Sequence, residues 1–136
     1  MLLRKIMTAL AVALLPFALP APAVAETPFE FDKPLLALVT SAEGDYFAVR
    51  VWLQGVAIDD KEATTVKELS GDLRGLYIDH VRSLTVEKLM HNEDKVVLGK
   101  QLTTLTNRAL AAYHHQPEGK VYVKLVVRQF AMERMP

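Results

Sequence analysis

The chain has 136 residues, of which 16 are basic and 16 acidic, with 51% hydrophobic side chains and no cysteine. That length suits one domain with a single core, and the composition excludes a disordered chain. A formal net charge of zero offers no basic field for nucleic acid, and a disulfide scaffold is ruled out.

In chain order, Arg4 and Lys5 precede an uncharged run from Ile6 to Ala25 that closes on Ala23-Val24-Ala25 before Glu26. A basic start, an apolar centre and a small-x-small end are the layout of an export signal. The alternative is an uncleaved anchor, since a membrane span takes about 20 apolar residues. Pro16, Pro20 and Pro22 count against it by interrupting helix continuity. Residues 1–25 are therefore expected to be a signal peptide, residues 26–136 an exported domain, and contact with the inner membrane to occur only if the leader stays attached. Without Arg4 and Lys5 the domain carries 14 basic against 16 acidic residues, a net of −2, which predicts solubility and no particular partner.

Glu26 to Phe31, with Pro28, reads as an edge or linker segment. Leu35 to Val39 is a short apolar run behind Pro34, the pattern of a strand buried on both faces or nearly so. Ser41 to Asp45 supplies turn chemistry with Gly44. Tyr46 to Ile58 follows, where Phe47, Val49, Val51 and Leu53 alternate with Tyr46, Ala48, Arg50, Trp52 and Gln54. This is a strand of period two, joined to the first as a hairpin.

Asp59 or Asp60 is placed to cap a long helix. Its apolar stripe is Val66, Leu69, Leu73, Leu76, Tyr77, His80, Val81 and Leu84. Lys67, Glu68, Arg74 and Arg82 are expected to face water. Gly71 and Gly75 inside the helix predict a bend or the close approach of a strand. Ser83-Leu84-Thr85 breaks the helix before a short turn from Val86 to Met90, which Thr85 can cap. A second long helix starts at Asn92 or Asp94, carries the stripe Leu98, Leu102, Leu105, Ala109, Ala112 and Tyr113, and stops at Gln116-Pro117-Glu118-Gly119. Lys120 to Phe130 is the last strand, with Val121, Val123, Leu125 and Val127 on one face and Tyr122, Lys124, Val126 and Arg128 on the other. Ala131 to Pro136 is expected to be loose. The order is ββααβ, an α+β domain with a small antiparallel or mixed sheet and two long helices on one face.

Little chemistry stands out. His114 and His115 are neighbours on a helix and diverge by about 100°, no H-x-x-x-H pair exists, and His80 and His91 are isolated, so no metal site is expected. Ser41, Ser70 and Ser83 lie outside nucleophile-elbow and S-x-x-K patterns. A triad assembled from distant residues, with Ser83 and His80, is the remaining enzyme reading. Paired carboxylates at Asp59-Asp60 and Glu93-Asp94 sit at helix starts and read as caps. No catalytic residue, metal or cofactor is assigned. Binding content lies in Tyr46, Trp52, Tyr122 and Phe130 interleaved with Arg50, Lys124 and Arg128 on one sheet face, a surface suited to a protein partner. Arg74 and Arg82 on the helix are secondary candidates. A small-ligand-binding or carrier domain, using space between helices and sheet, is the alternative.

Three stretches, FEFDKPLLALV, LRGLYIDHVRSLTVEKL and EGKVYVKLVVRQF, resemble the flagellar basal-body-associated FliL family. The middle pattern matches at Leu76, Ile78, Asp79, Val81, Arg82, Ser83, Leu84, Thr85, Glu87 and Leu89, with Lys88 where an acid is usual. The resemblance covers Phe29 to Phe130. It implies a non-enzymatic periplasmic domain, similar to the stomatin-like fold, that associates with the flagellar stator and basal body, self-associates and holds no cofactor. Family members carry a transmembrane anchor and a linker, whereas this chain starts with a signal-like segment and almost no linker.

Overall fold

A computed structural model describes residues 25–90 and 92–136, the side chains of 92–94 excepted. The expected leader, His91 and the caps expected at Asn92 or Asp94 lie outside the described residues.

The chain is an α+β domain, a four-stranded antiparallel sheet with the helices of the described residues on one side. The strands are β1 (Thr27–Glu30), β2 (Leu35–Thr40), β3 (Tyr46–Ala57) and β4 (Val123–Arg134). β3 pairs with all of them. β4 runs along one of its edges for the full length, while β1 and β2 lie end to end along the other. β1 and β2 are in effect one edge strand with an interruption. Glu30 pairs with Gln54 and Leu35 with Val51, so four residues, 31–34, stand opposite two. β4 has its own irregularity at the same level, where Trp52 pairs with Gln129 but Leu53 with Val127. Arg128 is thus the extra residue of a β-bulge.

That bulge corrects two expectations. Alternation carries Val123, Leu125 and Val127 inward; the extra residue then resets the phase, so Phe130 packs against the core instead of facing out. Strand pairing also continues through Arg134, and the Met135 amide donates to the Tyr46 carbonyl at 2.9 Å. The tail expected to be loose is therefore mostly strand.

The helices are α1 (Asp60–Glu68), α2 (Ser70–Arg82), α3 (Val86–Met90) and α4 (Asn92–Tyr113). Asp59 caps α1, its carboxylate accepting from the Glu62 amide at 2.8 Å, and Thr85 accepts from the Lys88 amide at 3.4 Å. The expected single long helix is interrupted at Leu69 (φ −92°, ψ 6°), just ahead of Ser70 and Gly71, both weak helix formers. Gly71 and Gly75 are exposed, and a Cβ at either would meet nothing within 4 Å, so no strand approaches them. Close approaches occur instead at Gly55, inside β3, and at Gly99, where α4 lies on β4.

One core fills the space between sheet and helices. Val39, Val49, Val51, Val66, Leu73, Tyr77, Val81, Leu98, Leu102, Leu110 and Val123 are all nearly inaccessible there. On α4 the inward stripe passes through Leu98, Leu102, Thr106 and Leu110; Ala112 and Tyr113, expected inside, are exposed, as is Leu76 on α2. Each sits at the margin of its stripe, where a few tens of degrees of helix rotation decide the side.

Candidate functional site

Among the described residues, the opposite face of the sheet bears no helix. β2 was read as buried on both faces, yet its burial strictly alternates: Leu35, Ala37 and Val39 are inside, while Leu36 and Leu38 are 56% and 53% exposed. A strand apolar from Leu35 to Val39 and open on one side leaves an apolar surface.

Register places the neighbours. Arg50 lies between Leu36 on β2 and Ala131 on β4; Ala48 lies between Leu38 and Glu133. Trp52 stands opposite Gln129, and Val56 lies between Pro28 and Lys124. Tyr46 and Val126 are both more than half exposed. Arg128, projecting from its bulge, reaches Glu30 at 3.5 Å; since β1 and β4 flank β3 on opposite edges, this contact crosses the sheet. Both side chains are more than half exposed, so the pair contributes little to stability. Arg50, Trp52, Lys124 and Arg128 are therefore brought together on one surface, as expected from their strand positions, and Leu36, Leu38, Ala48 and Ala131 complete it.

Three other candidates are placed elsewhere. Tyr122 is 3% exposed and points inward, because β4 begins only at Val123 and the preceding backbone is held by α4. The Asn107 side chain accepts from the amides of Tyr122 at 2.9 Å and Val123 at 3.0 Å, and donates to the Val123 carbonyl at 3.1 Å. Arg74 is only partly exposed, its guanidinium donating to the carbonyls of Lys33 at 2.7 Å and Pro34 at 3.0 Å. It pins the interruption between β1 and β2. Arg82 is exposed on α2, on the helical side of the molecule.

Tyr122 leads to an arrangement that sequence reasoning missed. Its ring stacks on His114 with centroids 5.3 Å apart, and His114 Nε2 lies 2.8 Å from the buried Glu62 carboxylate. The imidazole does not aim an N–H along that line, so the contact is a close approach without a formed hydrogen bond. Glu62 Oε2 and the Tyr122 hydroxyl have no protein partner. The signal was present: the stripe beginning at Val66 extends back four residues to Glu62, which places that carboxylate inside.

The other expected chemistry is structural. His80 Nε2 meets Gln101 Oε1 at 2.7 Å, and since an amide oxygen only accepts, Nε2 is the nitrogen that carries the proton. The Ser83 hydroxyl donates to the His80 carbonyl, so these two side chains do not form a nucleophile–base pair. Glu87 reaches across to the β2–β3 turn and accepts from the Ala42 amide at 2.7 Å. Within the stretch that resembles the FliL pattern, Thr85, Glu87 and Leu89 are thus a cap, a clasp on the hairpin and a core residue. Among the described residues no three His, Cys, Asp or Glu side chains converge on a point that could hold a metal ion, and no helix is long and apolar enough to cross a membrane.

No protein-family model matches the chain, and no curated protein matches it.

Proposed function

We propose that this chain is an exported, non-enzymatic interaction domain of the FliL kind, acting in the periplasm at the flagellar stator or basal body and docking through the outer face of its sheet. The surface around Arg50, open among the described residues, with Leu36, Leu38 and Val126 exposed and Trp52 half-buried on three strands, carries the reading. Single exposed apolar residues are ordinary, whereas a contiguous set on a rigid sheet belongs to an interface. The first partner is a second copy. Arg50 and Glu133 lie on adjacent rows of this face and neither has an ion-pair partner among the described residues. A two-fold interface sets each patch against its own copy and can place Arg50 of one copy against Glu133 of the other. The near-balance of charge on the face suits a protein better than nucleic acid or an anionic membrane.

The expected result is that the chain starting at Glu26 associates reversibly in sedimentation, and that Leu38→Asp with Arg50→Glu makes it monomeric without lowering its melting temperature. A wild-type chain that stays monomeric at about 1 mM, roughly the weakest affinity that counts as specific, removes self-association. The flagellar part is tested separately: deletion in a flagellated host is expected to change swimming or swarming, and unchanged motility counts against it. Intact mass of the cellular protein, expected to start at Glu26 in the periplasmic fraction, tests export.

A further inference from the structure

We infer that the interruption between β1 and β2 forms a binding cleft for a small amphiphilic anion, an apolar body ending in a carboxylate, sulfonate or phosphate. The inference concerns the helical side of the molecule and stands apart from the outer-face reading.

The cleft has a volume of about 400 Å³, within the range of roughly 300–1,000 Å³ of small-molecule sites. It exists because residues 31–34 leave the sheet edge and arch toward the junction of α1 and α2. The arch is fixed from two sides. Phe31 packs edge-on against Phe29 and Tyr77, each at 5.8 Å between centroids, and Arg74 holds the carbonyls of Lys33 and Pro34. The opening is therefore built into the fold by a rigid aromatic contact and a two-pronged guanidinium clamp, the kind of pre-formed geometry that lowers the cost of binding.

Its lining divides by chemistry. Phe29, Phe31 and Val66 supply an apolar floor, and Lys33, Lys67 and Arg74 stand at the rim. Of the two acids there, Glu30 is engaged with Arg128 across the sheet, which leaves Asp32 against three positive charges. Lys33 and Lys67 are exposed and have no ion-pair partner among the described residues. A ligand with an apolar body satisfies the floor, and an anionic end satisfies the rim; a cationic amphiphile of the same size meets the same floor and a repulsive rim. Arg74 is a positioning residue with two of its five N–H groups committed to backbone carbonyls, and the exposed Lys33 and Lys67 are the principal contacts for the anion.

The test uses two eight-carbon probes with opposite heads, octanoate and octylammonium, titrated into the isotopically labelled chain starting at Glu26 and followed by backbone amide shifts. Octanoate is expected to move the amides of Phe31, Lys67 and Ser70 saturably, with Kd of about 1 mM as fits a ligand of some ten non-hydrogen atoms, and to bind at least about tenfold tighter than octylammonium, the ratio that removing charge repulsion at two rim lysines supplies. Lys33→Glu with Lys67→Glu, two exposed positions whose change leaves the core intact, is expected to reverse the preference. Equal affinity for the two probes, shifts centred on Leu36 and Leu38 instead of the cleft, no saturable shift, or an unchanged preference in the double variant each overturns the proposal. Leu38→Asp leaves octanoate binding unaltered if the cleft is the site, so loss of self-association and loss of anion binding are read separately.

Discussion

The Tyr77 hydroxyl lies 2.6 Å from Thr106 Oγ1, and Thr106 in turn donates to the Leu102 carbonyl at 2.7 Å. Thr106 has one proton to give, so Tyr77 is the donor of the pair, and α2 is tied to α4 through a buried relay that ends on the helix backbone.

Burial, which disfavours the charged phenolate, pushes the Tyr77 hydroxyl up to about 12. The folded state therefore keeps this proton while the unfolded chain loses it near the ordinary value of about 10. Between those values the unfolded state binds fewer protons, so stability falls as pH rises, by on the order of 2–3 kcal/mol for this group. Below pH 10 the contribution is fully present. Urea unfolding at pH 8 and pH 11 is expected to show the loss in wild type and a shallower decline in Tyr77→Phe, which costs only about 1 kcal/mol at pH 8 because Thr106 keeps its bond to Leu102.

Glu62 and His114 are expected to depend on each other. His114→Ala leaves a buried carboxylate with both oxygens unanswered and should cost about 1–3 kcal/mol. Glu62→Leu combined with His114→Phe removes both polar groups and fills the space, and should return stability to within about 1 kcal/mol of wild type, since apolar replacement of a buried pair is often neutral. Losses in the single variants Glu62→Leu and His114→Phe that simply add in the double variant would show that the pair is not coupled.

The glycines divide into two groups by what surrounds them. Gly71→Ala and Gly75→Ala place a methyl in open space on an exposed helix face and should each raise stability by about 0.5–1 kcal/mol. In Gly55→Ala the new Cβ would stand 2.6 Å from the Lys124 carbonyl oxygen and 2.7 Å from the Phe29 ring, so β3 and β4 must part. A loss of about 2 kcal/mol or more is expected. Melting temperatures of the three variants check both signs at once.

Asn107 seals the start of β4, an edge that would otherwise present bare backbone. Asn107→Ala removes three hydrogen bonds and should cost about 2–3 kcal/mol, with the amides of Tyr122 and Val123 losing their hydrogen-exchange protection first. Leu125, whose amide is held by Thr103 at 2.9 Å, is expected to keep its own.

Much of the fold was legible because periodicity is a local signal. The hairpin around Gly44, which takes φ +91°, the cap at Asp59 and the alternation of Val49, Val51 and Leu53 follow from neighbours in the chain. What local pattern could not carry was phase across an irregularity. The extra residue at Arg128 reverses the side on which Phe130 lies, and nothing in VVRQF distinguishes a bulged from a regular strand. Leu36 and Leu38 misled for another reason: an apolar run tells that a strand is not held in water by its own side chains, but whether the second face is covered depends on how many helices the rest of the chain supplies. The candidate surface was thus found from Arg50 and Trp52, while its apolar half was assigned to the core. Arg74 and Tyr122 were read as exposed because their acceptors and stacking partner come from segments 40 residues and 8 residues away.

The two irregularities on either side of β3 fall at one level. At Trp52 and Leu53 the first edge strand is broken and the other is bulged, so this is the one point where the central strand crosses from one half of the sheet to the other without a regular ladder on either side. Torsion between the halves concentrates at that seam, much as a plank twists at a notch. The chain's only tryptophan sits there half-buried, which makes Trp52 emission a native reporter of the packing at that seam.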